Sequence, residues 1–215
     1  TTIIMNVQEA TTRRLPDLKE RHLPENCRET INTILKETYG YEQFRNLEIY
    51  DDLSKGKEKL CISQGQLIEN VILEAEKAWK SETQVDNILL TAPTGSGKSL
   101  LFQLPAIYLG KEYNLLTIVV SPLKALIVDQ VESLQELGYA RVAYASSDLS
   151  PEQKMEVYRQ VREGEIDLFY LSPELLLSYD IKHFVGERRI GLVVVDEAHT
   201  VTTWGKEFRV DYWFL

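Results

Sequence analysis

A short run at residues 92–99, Ala-Pro-Thr-Gly-Ser-Gly-Lys-Ser, concentrates residue types that can bind phosphate. Gly95 and Gly97 permit the backbone conformations in which successive N–H groups point at one anion. The Lys98 ammonium could reach the β- and γ-phosphates of a nucleotide, and the Ser99 hydroxyl could ligate Mg²⁺. The alternative is a glycine-rich turn that begins a helix and binds nothing. The predicted nucleotide-binding residues of this run are Thr94, Gly95, Ser96, Gly97, Lys98 and Ser99.

Two adjacent carboxylates, Asp196 and Glu197, follow the apolar run at 190–195. Such a pair can simply begin a helix as a cap. Here it lies roughly 100 residues after the phosphate-binding run, and an apolar parallel strand would deliver it to the sheet edge where ligands bind. Asp196 would hold Mg²⁺ through water, and Glu197 would orient and deprotonate the attacking water. The two runs together predict ATP hydrolysis, with Lys98, Asp196 and Glu197 as catalytic residues and Ser99 and Asp196 as metal ligands.

The spacing of apolar residues predicts the elements that must position these groups. Short apolar runs alternate with patterns of helical period, which indicates a parallel sheet covered by helices on both faces. The predicted fold class is therefore α/β. The strands are expected at 87–90, 115–120, 141–144, 166–171 and 190–195, and the helices between them at 98–109, 123–137 and 151–163.

The N-terminal part of the chain is less regular. Residues 1–23 show no convincing period and are interpreted as an arm, which is followed by a helix that ends near Gly40. The stretch at 46–64 fits either a hairpin or a solvated loop. The predicted organisation is a short, partly helical N-terminal region at 1–38 and one lobe at 39–215, truncated before its end, with an insertion at about 46–64.

Composition argues against several classes of protein. The chain has 44% apolar and 27% charged residues, as is ordinary for a globular domain. We expect no contact with a membrane and a cytoplasmic location, with the nucleoid or nucleus as alternatives, because no run reaches the roughly 18 apolar residues of a membrane span. The two cysteines lack partners at metal spacing, so a structural zinc site is not expected. A net charge of −9 argues against coating of nucleic acid by bulk positive charge but allows a local basic track.

The Asp-Glu-Ala-His run at 196–199, together with the phosphate-binding run, resembles superfamily-two helicases. Four further segments are similar to motifs of the RecQ-like family within that group. They read "YGYEQFR" (39–45), "SPLKALIVDQ" (121–130), "YLSPELL" (170–176) and the aromatic-rich "HTVTTWGKEFRVDYW" (199–213). The resemblance covers about residues 39 to 215 and implies the first RecA-like lobe of an ATP-dependent DNA helicase.

The resemblance also implies how the adenine base would be held. Tyr41 and Arg45 would stack on the base, and the Gln66 amide would pair with its donor and acceptor edge. In the family this motif runs directly into a Pro-Gly-Gln sequence, whereas here the stretch at 46–64 separates Arg45 from Gln66. An inserted hairpin would leave its two ends adjacent. For Phe44 we favour core packing over a role in binding.

A further implication of the resemblance is a set of DNA-binding residues. Those expected to grip the phosphates of the DNA are Ser121, Pro122, Leu123 and Lys124, and those expected in the aromatic-rich loop are Trp204, Phe208 and Arg209. Stacking of a base on an aromatic ring is worth about 1–3 kcal/mol. His199 would couple this loop to the ATP site. The alternatives are that Lys124 is a solvated lysine at a helix start, and that the aromatic side chains, spaced four residues apart, form a buried helical face.

The activity that the resemblance implies is translocation 3′ to 5′ along single-stranded or partly duplex DNA, driven by ATP with Mg²⁺. A second lobe with an arginine finger, and a strand that links the two sites, are expected beyond residue 215. The isolated chain is therefore expected to hydrolyse little ATP. The alternative function is a helicase-like, nucleotide-dependent scaffold or sensor in a larger nucleic-acid assembly. The aromatic-rich loop disfavours a third alternative, an RNA helicase.

Overall fold

The computed structural model describes residues 2–5, 23–50, 59–80, 87–90 and 95–197. Within these residues, six parallel strands form one sheet in the order β4-β1-β8-β5-β7-β6. The sheet strands are β1 (Thr2–Met5), β4 (Ile88–Leu90), β5 (Leu116–Val120), β6 (Val142–Ala145), β7 (Leu168–Leu171) and β8 (Ile190–Val195), and β2 (Asn46–Tyr50) pairs separately with β3 (Lys59–Ser63). The helices are α1 (Glu29–Tyr39), α2 (Gln64–Trp79), α3 (Leu100–Tyr113), α4 (Lys124–Glu136), α5 (Pro151–Arg162), α6 (Pro173–Ser178) and α7 (Ile181–Val185).

Helices cover both faces of the sheet, as the alternating pattern predicts. Side chains along β5 alternate between two apolar clusters: Ile118 packs with residues of α5 and α7, whereas Val119 packs with residues of α1 to α4. Because strands buried on both faces need apolar side chains at every position, they appear in the sequence as continuous apolar runs. The α/β prediction is therefore confirmed. Among the described residues, no helix has the length and apolar character needed to cross a membrane.

The first residues of the chain differ from the predicted arm. Thr2–Met5 form a strand that lies between β4 and β8, with Ile4 in register with Leu89 and Val195. These four residues belong to the sheet, so the lobe does not begin at residue 39. The prediction failed because four residues are too few to show a period, although their β-branched side chains favour a strand. The rest of the predicted arm, up to residue 22, lies outside the described residues.

The first and last residues of the insertion pair as the two strands of a hairpin. β2 and β3 pair antiparallel, with Asn46 opposite Ser63 and Leu47 opposite Ile62. The turn between the two strands lies outside the described residues. Pairing from the first residue to the last brings the two ends of the insertion together, because antiparallel neighbours are only about 5 Å apart. Arg45 therefore lies directly beside Gln64, whose N–H donates to the Arg45 carbonyl at 2.9 Å.

Candidate nucleotide-binding site

The phosphate-binding run joins the β4 side of the sheet to the start of α3. Gly95 and Gly97 have φ angles of +80° and +79°, a region in which only glycine is free of strain. The Leu100 N–H donates to the Gly97 carbonyl at 3.2 Å, and the Leu101 N–H to the Lys98 carbonyl at 3.0 Å. The run thus turns directly into the helix, whose N-terminal dipole favours an anion at this point.

The two carboxylates follow β8 at the same edge of the sheet. The Asp196 N–H donates to the Val120 carbonyl at 2.9 Å, which holds Asp196 against the end of β5. The Asp196 carboxylate accepts the Glu197 N–H at 2.9 Å. Glu197 has a φ of +50°, a conformation uncommon for residues other than glycine that often marks functional sites. The chain therefore turns sharply at Glu197.

Electrostatics connect the two runs. Asp196 is only 5% exposed, and burial, followed by the neighbouring charge of Glu197, raises the pKa of its carboxyl group. The Lys98 ammonium and a hydrogen bond from the Gln130 side chain act in the opposite direction. Lys98 and Asp196 are therefore close enough to interact, although several strands and helices lie between them in the sequence. The structure therefore brings Lys98 near Asp196 and Glu197.

The residues present fit a magnesium ion. The Asp196 carboxylate and the Ser99 hydroxyl are oxygen donors, the type that Mg²⁺ prefers. The raised pKa of Asp196 shows that its surroundings only partly compensate its charge, and a divalent cation would complete that compensation. Within the described residues no group of three or more His, Cys, Asp or Glu side chains forms a metal site. An ion held by one carboxylate, one hydroxyl, water and nucleotide phosphates suits Mg²⁺, which keeps several waters.

Gln64 reaches the phosphate-binding run, and the sequence prediction overlooked it. Its amide nitrogen donates to the Ser96 carbonyl at 3.2 Å, and its amide oxygen accepts the Arg45 N–H at 3.2 Å. A Cβ atom added to Gly97 would lie 2.7 Å from the same amide nitrogen. Gln64 is buried, and both ends of its amide are engaged, so it bridges the segment at 39–45 and the phosphate-binding run.

Gln66, the predicted adenine contact, is used differently. Its amide oxygen accepts the Ser63 N–H at 3.0 Å, and Ser63 caps the start of α2 in a capping box. Its amide nitrogen donates to the Pro24 carbonyl at 3.0 Å. Both ends of the Gln66 amide are therefore engaged in closing the helix. Gln64, two residues earlier, contacts the phosphate-binding run instead, and the adenine contact of Gln66 stays a prediction.

Tyr41 and Arg45 lie where a base could stack. Tyr41 is 53% exposed, and its ring is nearly parallel to that of Tyr39, with centroids 6.3 Å apart. Arg45 is exposed as well. Phe44, by contrast, is half-buried and packs against the main apolar cluster, in agreement with the preference for a core role. Tyr41 and Arg45 thus offer free faces beside Gln64, and we call the pair the base platform.

The predicted DNA track is only partly accessible. Ser121 is buried, and its N–H donates to the Leu171 carbonyl at 3.1 Å. Neither its side chain nor its N–H is therefore available to a phosphate in this structure. Leu123 is exposed at the start of α4, and Pro122 is half-buried. The Lys124 ammonium contacts Ser147 and pairs with Asp148 at 3.0 Å. Ser121 is buried in this structure, whereas Lys124 is exposed and paired with Asp148, and the DNA contacts of both residues stay predictions.

Several predicted residues lie outside the described residues. They are Thr94 of the phosphate-binding run, His199, and Trp204, Phe208 and Arg209 of the aromatic-rich loop.

A group of buried polar residues near Asp196 was also overlooked. Gln103 and Gln130 are buried in helices, and Tyr170 is fully buried on β7. One signal was present in the sequence, because Gln103 interrupts the otherwise apolar stretch Leu100 to Ile107. A buried amide without a partner costs free energy, so a glutamine in such a stretch indicates a specific hydrogen-bond partner.

The chain is similar to known helicases over most of its length. The DEAD/DEAH box helicase family matches residues 73–213. The ATP-dependent DNA helicase RecQ of Haemophilus influenzae is 30% identical over 183 residues, which make up 85% of this chain and 24% of the relative. RecQ of Synechocystis is 33% identical over 187 residues, 86% of this chain and 32% of the relative. A structure of the helicase MrfA bound to DNA and AMPPNP matches with a TM-score of 0.48 and 22% identity, covering 84% of this chain and 22% of that one.

The chain spans about a quarter to a third of the length of these curated relatives. The matched range contains both the phosphate-binding run and the Asp196–Glu197 pair, so it includes the chemistry of the site. The resemblance to RecQ-like proteins that the motifs suggested is confirmed. The chain belongs to the DEAD/DEAH box helicase family, as a RecQ-like first lobe.

Proposed function

We propose that this chain is the ATP-binding first lobe of a DNA helicase that hydrolyses ATP with Mg²⁺ and moves 3′ to 5′ along single-stranded DNA. The observation that carries the proposal is the convergence of Lys98 and the buried Asp196 at one edge of the sheet. The family of the chain and the names of its relatives, which are ATP-dependent DNA helicases, support the rest.

Each residue of the site has a definable role. The backbone N–H groups around Gly95 and Gly97 would bind phosphate oxygens, and Lys98 would neutralise the β- and γ-phosphates. Ser99 and Asp196 would hold Mg²⁺, which supplies charge stabilisation to the phosphate oxygens when bound. Glu197 would orient the attacking water and accept its proton, a contribution of about 10²–10⁴ in rate.

The base would be recognised by three side chains. Tyr41 and Arg45 offer stacking faces, and the Gln64 amide can accept and donate hydrogen bonds at the adenine edge. Both glutamines have engaged amides, and we propose Gln64 because its bonds lie against the phosphate-binding run, where a base would have to replace one of them. A nucleotide that replaced either bond would engage the base-binding segment and the phosphate-binding run together.

DNA would bind along the start of α4 and the aromatic-rich loop. Leu123 and Lys124 are exposed there, and a phosphate could replace Asp148 as the partner of Lys124. Trp204 and Phe208 would stack on bases, Arg209 would pair with a phosphate, and His199 would transmit occupancy of the loop. A second lobe would supply the cation that stabilises the transferring phosphate, worth about 10³–10⁵ in rate.

The proposal is tested by calorimetry of Mg·ATP binding to the chain. We expect Lys98→Ala to weaken binding by about tenfold or more, equivalent to about 1.4 kcal/mol, because it removes the cation that neutralises the phosphates. Lys111→Ala, an exposed lysine at the opposite end of the same helix, is the control and should leave binding unchanged. Equal affinity in both variants would mean that the run is only a turn.

The helicase and scaffold alternatives separate in the protein that contains both lobes. Glu197→Gln should leave ATP affinity intact and slow turnover at least about tenfold, because only the general base is lost. The helicase proposal expects single-stranded DNA to stimulate turnover. ATP binding without DNA-stimulated turnover would favour the nucleotide-dependent scaffold.

A further inference from the structure

A continuous chain of hydrogen bonds, buried except at its Tyr39 end, crosses the lobe beside the proposed ATP site. The Tyr39 hydroxyl donates to the Gln103 amide oxygen at 2.9 Å, and the Gln103 amide nitrogen donates to the Tyr170 hydroxyl at 3.2 Å. The Tyr170 hydroxyl then donates to the Gln130 amide oxygen at 3.0 Å. The four residues come from α1, α3, β7 and α4, so the chain joins four separate elements.

The two ends of this chain reach the two ends of the proposed nucleotide site. At one end, the Tyr39 ring stacks on Tyr41 of the base platform, with an angle of 16° between the rings. At the other end, the Gln130 side chain lies close enough to Asp196 to lower the pKa of its carboxyl group. The charge of Asp196 also reaches Tyr170, whose pKa it helps to raise together with burial. The chain therefore connects the base platform to the proposed Mg²⁺ ligand.

Every hydrogen bond in the chain points in the same direction. Tyr39 donates to Gln103, Gln103 to Tyr170, and Tyr170 to Gln130. Gln130 is left with its amide nitrogen, which can only donate, and the nearby Asp196 carboxylate, when charged, can only accept. Hydrogen bonds aligned in this way polarise one another, so a change at one member alters the strength of the next.

The surroundings leave room for this chain to move. A pocket of about 190 Å³ borders Tyr39, Gln103 and Gln130 and also Ser99 of the phosphate-binding run. Apolar side chains could fill the same interior without the cost of burying two amides and a phenol. A chain of polar side chains beside a pocket, with a proposed Mg²⁺ ligand at the border of the pocket, favours side chains that can shift over a fixed, packed core.

We propose that the chain from Tyr39 to Gln130 is a relay that couples occupancy of the base platform to the position of Asp196. Its members are positioning residues, because they act through Asp196 and Tyr41 rather than on the nucleotide itself. A base stacked on Tyr41 shifts Tyr39, and the aligned bonds carry the shift to the carboxylate that holds the ion. The inference rests on the proposed function, since it requires ATP and Mg²⁺ to occupy this site.

The relay predicts that the base and Mg²⁺ strengthen one another's binding. Affinities of the chain for ATP and for inorganic tripolyphosphate are measured by calorimetry, each with Mg²⁺ and each with EDTA. The preference for ATP over tripolyphosphate in Mg²⁺, divided by the same preference in EDTA, is the coupling factor. We expect a factor of about 5 or more in the unchanged protein, the lower end of the range for coupled sites.

Two isosteric variants cut the relay at different places. Tyr170→Phe removes the central hydroxyl, and Tyr39→Phe removes the first one while it keeps the ring that stacks on Tyr41. Both should bring the coupling factor close to one, and the double variant should add nothing, because either change interrupts the same chain. Tyr139→Phe is the control, since it removes a buried hydroxyl that donates to Asp167 at 3.1 Å and is not a member of the relay's hydrogen bonds, and it should keep the full factor.

The outcomes separate the relay from the function on which it rests. Failure of the unchanged protein to bind Mg·ATP overturns both. Binding with a coupling factor near one, or a factor unchanged in folded Tyr170→Phe and Tyr39→Phe, overturns the relay alone. Melting temperature reports whether each variant is folded, and Tyr39→Phe, whose hydroxyl lies at the accessible end of the chain, decides the matter if Tyr170→Phe does not fold. A purely structural role would lower the melting temperature and leave the coupling factor intact.

Discussion

Two buried aspartates at opposite edges of the same sheet have very different surroundings. Asp167 lies just before β7, at the amino edge, and is 0% exposed. It accepts hydrogen bonds from Arg141 Nε at 2.6 Å, Arg188 Nη2 at 2.9 Å and the Tyr139 hydroxyl at 3.1 Å. Two guanidinium groups and a phenol thus surround a single carboxylate, and its charge is fully compensated within the protein.

Asp196 lies just after β8, at the carboxyl edge, and is almost as deeply buried. Its partners are the Glu197 N–H and the Gln130 side chain, with Lys98 farther away, and burial and the charge of Glu197 raise the pKa of its carboxyl group. An aspartate whose charge the fold compensates is part of the framework. An aspartate left partly uncompensated fits the proposed role as a Mg²⁺ ligand, because perturbed pKa values cluster at functional sites.

The same substitution at the two edges should therefore have opposite consequences, and Asp167→Asn should show the largest effect on stability. It removes the negative charge between two guanidinium groups, of which Arg188 is buried. Breaking a buried pair in this way costs about 3–5 kcal/mol. We expect urea unfolding to show a loss of this size in the free energy of unfolding.

Asp196→Asn is the matched variant at the other edge. It removes a buried charge that is only partly compensated, so the free energy of unfolding should stay the same or rise. Affinity for Mg·ATP should fall by about tenfold or more, because the proposed metal ligand is lost. A loss of stability equal to that of Asp167→Asn would show that the charges of both aspartates stabilise the fold.

A second prediction concerns how the difference in stability between Asp196→Asn and the unchanged protein depends on pH. Because the folded-state pKa of Asp196 is raised, the folded protein holds this proton more tightly than the unfolded chain does. The charged carboxylate therefore destabilises the fold above the folded pKa, and this penalty disappears as the pH falls toward the unfolded value of about 3.9. The stability advantage of Asp196→Asn should be greatest near neutral pH and should shrink toward about pH 4. An advantage that does not change with pH would contradict the assignment.

A third prediction compares two glycines with the same backbone conformation. Gly97 and Gly138 both have positive φ, +79° and +86°, so alanine at either should cost about 1–2 kcal/mol of stability. Only Gly97 has a neighbour in the way, because its added Cβ would lie 2.7 Å from the Gln64 amide nitrogen, whereas nothing lies within 4 Å at Gly138. Gly97→Ala should therefore also weaken ATP binding. Calorimetry that finds equal affinity in the two variants would remove Gln64 from the site.

Much of the carboxyl edge could be predicted from sequence because its chemistry is local. The glycines of the phosphate-binding run, the apolar run of β8 and the carboxylates after it each lie in one short segment. A parallel sheet then brings the segments to one edge, whatever lies between them. The family to which the chain belongs follows from the same segments.

What could not be predicted depends on packing between distant elements. The groups that compensate the charge of Asp167 lie up to 28 residues away in sequence, and no local pattern marks them. The relay through Tyr170 needs four elements in place. β1 is too short to show a period, and the contact between Gln64 and the phosphate-binding run depends on the hairpin. One signal did exist, because Ser63 and Gln66 have the spacing of a capping box, which would have assigned Gln66 to the helix.

The final prediction, with the smallest expected effect, applies the contrast between framework and site to two glutamines in the first turn of α2. Gln66→Ala removes one half of the capping box and should cost about 0.3–1.5 kcal/mol of stability without changing ATP affinity. Gln153→Ala removes the equivalent half of the capping box at α5 and should cost the same. Gln64→Ala should lower the affinity for ATP but not for inorganic tripolyphosphate, because it removes the proposed contact to the base. Urea unfolding and calorimetry on the three variants test this directly. If Gln66→Ala lowers the preference for ATP and Gln64→Ala does not, the original assignment from the sequence is correct and the one from the structure is wrong.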